Sequence, residues 1–555
     1  MKKYMLIEKN HMKNKKISFA MYFLVLFLFS LTAFAQENAT TKPLELPAFI
    51  IEGVEQLNVK SGMKQLPARA PTLNAKELDS LNTYDKQSPA LLDADKLPEK
   101  LIRSLYPKGF VKGSYGIFNT ATIDAGYQFD AVGFDVFARA GFNYSGGDVL
   151  NSDYNKFYVD VNSDYIADEK FFIFGGSRTK TGFILQSQNY NLYGYEKNTK
   201  ELAHFDRNLT QFKFNVLSDG AYESFLFKVG ANLNLLGIKH DENSYQYVTG
   251  NKLSNNYVRG FAEVKNYWKN FLLGGNILLD FESLGGNAIN YYQLDGSASY
   301  FNDKFSILAK AGFQVANNSN NIDRGGFLLS ANMEYRLDRL FTIKAEVSSG
   351  LEKNDFENFI FYNPYMSFNT EFDYTYNILK VNGNVWFHPT EKISAVGGVN
   401  WRVADRIMYF AKDTLAMFKL KYANGNIFNL FAEVFWDLSN IDRLSAKLDL
   451  TTSALNDNKN LTYTPNLQIR ASYYRKWFEA FGTNIALGYV GDRYILDNSN
   501  EKIDAYFLLN FKADYTLNNF TFELNVKNIT NSDIYIWNQY KENGFFASLG
   551  VMWQF

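Results

Sequence analysis

The sequence predicts an all-β fold: a transmembrane antiparallel β-barrel of about 22 strands, within a range of roughly 18–24, preceded by a short periplasmic arm. Three observations carry it. An export leader opens the chain, apolar and polar residues alternate with period two over most of the remaining length, and aromatic residues, 17% of the chain, cluster near the ends of the alternating segments. A soluble sandwich would alternate as well. Export, the many segments with no helix between them and the aromatic placement together favour lipid as the outer solvent.

The leader comes first. Lys13, Lys15 and Lys16 precede the apolar run Ile17 to Ala35, which ends in Ala33-Phe34-Ala35, an A-x-A cleavage pattern. Cleavage before Gln36 is expected, and translation from Met12 would yield the same leader. It carries most of the local positive charge, so the mature chain is mildly acidic and has no basic stripe for nucleic acid. The 555 residues include no cysteine, which excludes disulfides, thiolate metal sites and a lipidated N-terminal cysteine. No later stretch reads as a transmembrane helix, so a membrane-embedded chain must cross as strands.

Seven of the ten prolines lie between the cleavage site and Pro107. Proline removes a ladder donor and is confined to strand edges, starts and turns. The shift divides the chain into a leader (1–35), an extended, Pro-containing periplasmic arm (36–107) and a barrel (108–555).

Within the barrel, Phe520, Phe522, Leu524 and Val526 alternate with Thr521, Glu523, Asn525 and Lys527. The segments starting at Ala505, Phe305 and Leu444 repeat the pattern, with every charge on the polar face. Phe387, Trp401, Trp436, Trp477, Trp537 and Trp553 are expected in the aromatic girdles at the two interfaces. Short periplasmic turns are predicted near Leu517–Asn519, Lys476–Trp477, Asn440–Ile441, Pro389–Thr390, Asp338–Arg339, Asn302–Asp303, Lys269–Asn270, Ser218–Asp219, Ala167–Asp168 and Ala131–Val132. Long outer loops are predicted over 188–204, 239–255, 353–369 and 404–424.

Catalytic patterns are absent from the sequence. His204 and His240 fall near outer loops with no nucleophile motif beside them and read as solvated loop histidines. His388 adjoins a periplasmic turn. No metal-protease, phosphate-loop, dinucleotide or EF-hand pattern occurs, so no enzyme activity, metal or cofactor is expected. Asp241-Glu242-Asn243 and Asn354-Asp355 read as charged outer loops with some attraction for cations. Tyr190, Tyr193, Tyr195, Tyr245 and Tyr247 crowd the first two outer loops, where amphipathic rings suit a sugar or peptide ligand; loop packing explains them equally well.

Two stretches resemble the TonB-dependent receptor family. FVKGSYGIFNTATIDAGYQF (Phe110 to Phe129) is similar to the first barrel hairpin of those receptors. LNVKNITNSDIY (Leu524 to Tyr535), followed by GFFASLGVMWQF (Gly544 to Phe555), is similar to their last two strands. In the arm, LELPAFIIEG (Leu44 to Gly53) resembles the box that engages an energy-transducing periplasmic protein, with Leu46, Pro47, Phe49, Ile50, Ile51 and Glu52 as the contact residues. An apolar extended segment of this kind can add as a strand to a partner's sheet edge. Only 54 residues separate Gly53 from Lys108, too few for the globular plug of the family. The lumen is therefore expected to be occluded by the folded-back arm or by another protein, or to stand open.

The resemblance implies a barrel in the outer membrane of a Gram-negative bacterium, in contact with its lipid, that transports an unidentified solute. A passive porin, or a non-transporting scaffold for a periplasmic or surface partner, is the alternative. Leu549, Val551, Trp553 and Phe555 in the final strand are the expected signal for the barrel-assembly machinery.

Overall fold

The computed structural model describes residues 108–131, 133–194, 205–240, 252–318, 322–413 and 417–555. The leader, the arm with its box, Tyr195, His204, Tyr245 and Tyr247 lie outside these residues. Twenty-two antiparallel strands form one closed sheet, each paired with its neighbours along the chain, and the first, Gly109–Gly116, pairs with the last, Phe546–Gln554. Closure leaves this sheet without an edge strand, the condition that a sheet spanning a bilayer has to meet.

The seam is finished by the last residue. Phe555 N–H donates to Gly109 O at 3.0 Å, and Phe555 O accepts from Gly109 N–H at 2.9 Å and Lys108 N–H at 3.2 Å. Its ring lies 4.7 Å from that of Trp553 and 6.1 Å from that of Tyr127. A Cβ on Gly109 would lie 2.8 Å from both the Phe555 and Tyr127 rings, so glycine is what lets them meet over the seam.

Period-two alternation has an inverted meaning in this wall. On strand Phe271–Leu284, Leu273, Ile277, Leu279 and Phe281 are 37–51% exposed, whereas Asp280 and Glu282 are 0% and 3% exposed. The apolar set faces outward, as it must in a barrel that spans a bilayer, and the polar set faces the lumen. Strand Phe520–Lys527 repeats this, with Phe520 and Phe522 outward and Thr521 and Glu523 buried. Glu523 accepts from Lys112 Nζ at 2.7 Å across the closed seam.

Trp401, Trp436, Trp477 and Trp553 lie exposed on the outer surface as girdle residues should, and Phe387 is half-buried. Trp537 departs from the expectation. It is 3% exposed, on a small hairpin (Tyr535–Trp537 with Tyr540–Lys541) outside the wall. Spacing along the chain does not distinguish a ring facing lipid from one folded over the mouth.

Several boundaries also move. The predicted loop 404–424 is mostly sheet: strands Ile393–Lys412 and Phe418–Asp437 each run 20 residues, with a bulge between Ala404 and Ile407 where Arg406 takes a positive φ of 57°. Ser218-Asp219 lies within strand Phe205–Tyr222, where Ser218 is buried and accepts from Thr179 Oγ1 at 3.1 Å; the turn comes later, at Glu223, φ 53°. Lys476–Trp477 still belongs to strand Leu467–Phe478. The connection after Ala167 is no two-residue turn but a longer one containing a 3-10 turn, Phe172–Phe174. Strands of 20 residues exceed the 9–11 a bilayer needs, so the wall projects beyond the membrane at the end carrying the long connections, the outer end of the barrel.

Candidate functional site at the outer mouth

Residues 353–374, between strands Phe341–Glu352 and Thr375–Thr390, do not remain outside the barrel. The preceding strand bulges at Gly350, where φ is 135° and a Cβ would come 2.5 Å from Gln314 Oε1, and the chain leaves the sheet after Glu352. Gln314 holds the bulge, accepting from Leu351 N–H at 2.8 Å and donating to Leu351 O at 3.2 Å. A seven-residue helix, Phe356–Tyr362, comes next. The segment then reaches across to the far wall, where Pro364 O accepts from Tyr190 and Arg207, and returns to a strand two places along from its own end, where Met366 bridges to Phe418 and Ser367 N–H donates to Phe418 O at 2.7 Å.

An aromatic lattice fixes the segment against strands and hairpins around the rim. The Tyr365 and Tyr540 rings stack with centroids 3.4 Å apart. Trp537 sits among Tyr463 at 4.9 Å, Phe410 and Phe418 at 5.1 Å and Tyr362 at 5.5 Å. Phe356, Ile360, Met366 and Phe418 are 0–1% exposed. Aromatic pairs add about 0.5–1.5 kcal/mol beyond burial, so the lattice is a cooperative lid.

Beneath the lid lies a charged floor. Glu357 accepts from Gln211 Nε2 at 2.7 Å, Lys213 Nζ at 2.8 Å and Tyr257 Oη at 3.1 Å. Arg259 donates to Asp280 at 2.7 Å and to Asp355 at 2.5 Å. Lys353 lies against Asp280, Glu282 and Asp355. Two buried arginines clamp backbone carbonyls at the rim. Arg207 donates to Pro364 O at 2.6 Å and to His240 Nε2 at 3.2 Å, and Arg493 donates to Tyr535 O at 2.7 Å.

Of the predicted site residues, Tyr190 donates to Pro364 O at 2.8 Å and Tyr193 to Lys541 O at 2.9 Å, so both brace the closure. His240 is not solvated: it is 5% exposed, packed on Phe368 with ring centroids 4.4 Å apart, and it accepts from a cation, which keeps that nitrogen unprotonated. Leu549, Val551, Trp553 and Phe555 are 39–67% exposed along the lipid side of the last strand. Asp355 is half-buried and ion-paired in the floor with Arg259 and Lys353 rather than a free loop charge.

Among solved structures the chain is similar to the FrpB iron transporter from Neisseria meningitidis, at 11% identity over 83% of each chain with a TM-score of 0.65. It is similar to the copper transporter OprC at 11% identity, 81% of each chain and 0.62. The ferric enterobactin receptor PfeA from Pseudomonas aeruginosa is similar at 9% identity, 81% of each chain and 0.64. The fold is that of the TonB-dependent receptor barrels. No family model matches the sequence, and no curated protein does.

Sequence reasoning passed over Asp280, Glu282, Lys353, Glu357, Arg207, Arg493 and the role of Trp537. Asp280 and Glu282 did carry a signal, being two acids on the inward side of an alternating strand. Nothing in the sequence indicates that a segment some 70 residues later reaches them.

Glu542 contributes a pH dependence to the closure. It lies just after the Trp537 hairpin, and burial pushes its carboxyl up from 4.5 to about 7. Between those values the closed form keeps a proton that the opened form has released, so the contribution of Glu542 to the closure weakens as pH rises through the window. Amide exchange over 535–545, corrected for intrinsic rates, should rise between pH 5 and 8 in the native chain and stay level in Glu542→Gln. A level profile in the native chain would exclude Glu542 as the responsible group.

Proposed function

We propose that this chain is a receptor-like barrel of the Gram-negative outer membrane, admitting a solute through a mouth that its own 353–374 segment keeps shut. The closure carries the reading. A diffusive pore needs an unobstructed path, whereas here an aromatic lid and a charged floor tie the segment to strands around the rim. The shared fold supports transport over catalysis. It also supports a contact with an energy-transducing periplasmic protein, for which Leu46, Pro47, Phe49, Ile50, Ile51 and Glu52 are the proposed residues.

Planar-bilayer recordings test the proposal. The full chain should conduct little, and replacing 353–374 with a short Gly-Ser turn should produce large, steady steps. Removing 36–107 in parallel separates any contribution of the arm. Free conductance by the unaltered chain would establish the passive porin instead.

A further inference from the structure

We infer that the floor of the closure is an exchangeable binding site for a hard divalent cation, calcium by its chemistry, which the Lys353 ammonium occupies in the closed state. Asp280, Glu282 and Asp355 each present an oxygen within 4.8 Å of the other two. Acidic clusters are common without any ion, and this one has a further feature. Asp280 Oδ1 and Asn255 Oδ1 are buried with no hydrogen-bond partner, on residues that are both 0% exposed. Asn255 is held on the cluster through Nδ2, which donates to Glu282 Oε1 at 2.6 Å. One orphaned acceptor is on a carboxylate of the cluster and the other on the amide beside it, and a buried acceptor left without a donor is costly.

Lys353 supplies positive charge to the cluster. Its ammonium contacts Asp280, lies 3.3 Å from Glu282 and 3.4 Å from Asp355, and packs 6.0 Å from the Tyr291 ring centre. With Arg259, the cluster holds three carboxylates against two cations, leaving one negative charge in excess. Exchanging the lysine's single charge for a divalent ion removes the excess. The donors are all oxygen, which selects calcium or magnesium over softer metals. Three carboxylates of either denticity suit the irregular six-to-eight-fold shell of calcium better than the strict octahedron of magnesium. Because Lys353 and Asp355 form the root of the closing segment, an ion that displaces Lys353 acts directly on the gate.

The test uses the full chain in detergent free of lipopolysaccharide, with terbium luminescence sensitised by Tyr257 and Tyr291 and calcium as the displacing ion. Lys353→Gln removes the competitor and should tighten calcium binding roughly tenfold, since affinity depends on the ligand charge count. Asp280→Asn should weaken it by a similar factor. A gain in Lys353→Gln cannot arise from misfolding, which guards against a trivial loss in the other variant. Equal calcium affinity in the native chain and both variants, or no binding in Lys353→Gln, overturns the site. This readout is independent of transport, so its failure would leave the proposed function untouched.

Discussion

Replacing Trp537 with alanine is expected to open the outer mouth while leaving the barrel intact. The indole is 3% exposed and touches four rings, from 353–374, from the two longest strands and from the connection holding Tyr463. Truncating a buried tryptophan costs about 3–5 kcal/mol, and each 1.4 kcal/mol is tenfold in an equilibrium. Opening of the closure should therefore become at least about a hundredfold more frequent. Hydrogen exchange over 353–374 should report this, with strand amides such as those of Phe271–Leu284 keeping their protection and bilayer conductance appearing. Unchanged exchange in the segment would mean that Trp537 is packing without consequence for the gate.

Deleting Phe555 is expected to cut the amount of assembled protein in the membrane sharply. The residue contributes three backbone hydrogen bonds that close the sheet on Lys108 and Gly109, and unpaired backbone groups facing lipid cost several kcal/mol each. Phe555→Ala separates two roles, because it keeps those bonds and removes only the exposed ring beside Trp553 and Tyr127. Assembly falling equally in both variants assigns the ring to recognition by the assembly machinery. Assembly lost only in the deletion assigns the effect to the ladder, and normal assembly in both removes the proposed signal.

Much of the barrel was legible because the bilayer imposes a short-range rule. Each residue of a strand faces either lipid or lumen, so Phe520, Phe522 and Leu524 against Thr521, Glu523 and Asn525 already declare two solvents. Misplaced turns had local causes: Ser218-Asp219-Gly220 has turn chemistry, yet Ser218 is satisfied across the sheet, and the chain continues to Tyr222. The predicted loop 404–424 contains Asp405, Arg406, Lys412 and Asp413. There, Ile407, Tyr409 and Ala411 continue to alternate and are buried beyond the bulge.

The closure was not legible, for the opposite reason. Glu357 meets Lys213 across 144 residues and Tyr540 stacks on Tyr365 from another connection altogether. No local period encodes such pairs. The sequence by itself determined that the chain forms strands, which face of each meets lipid and that the sheet closes, since these depend on period-two chemistry and the requirement to pair every backbone group. Only the tertiary structure decided that the segment after Glu352 packs across the mouth against strands distant in sequence. That outcome depends on many side chains, distant along the chain, being buried together, and burial of that kind exists only once the barrel has brought its rim into a ring.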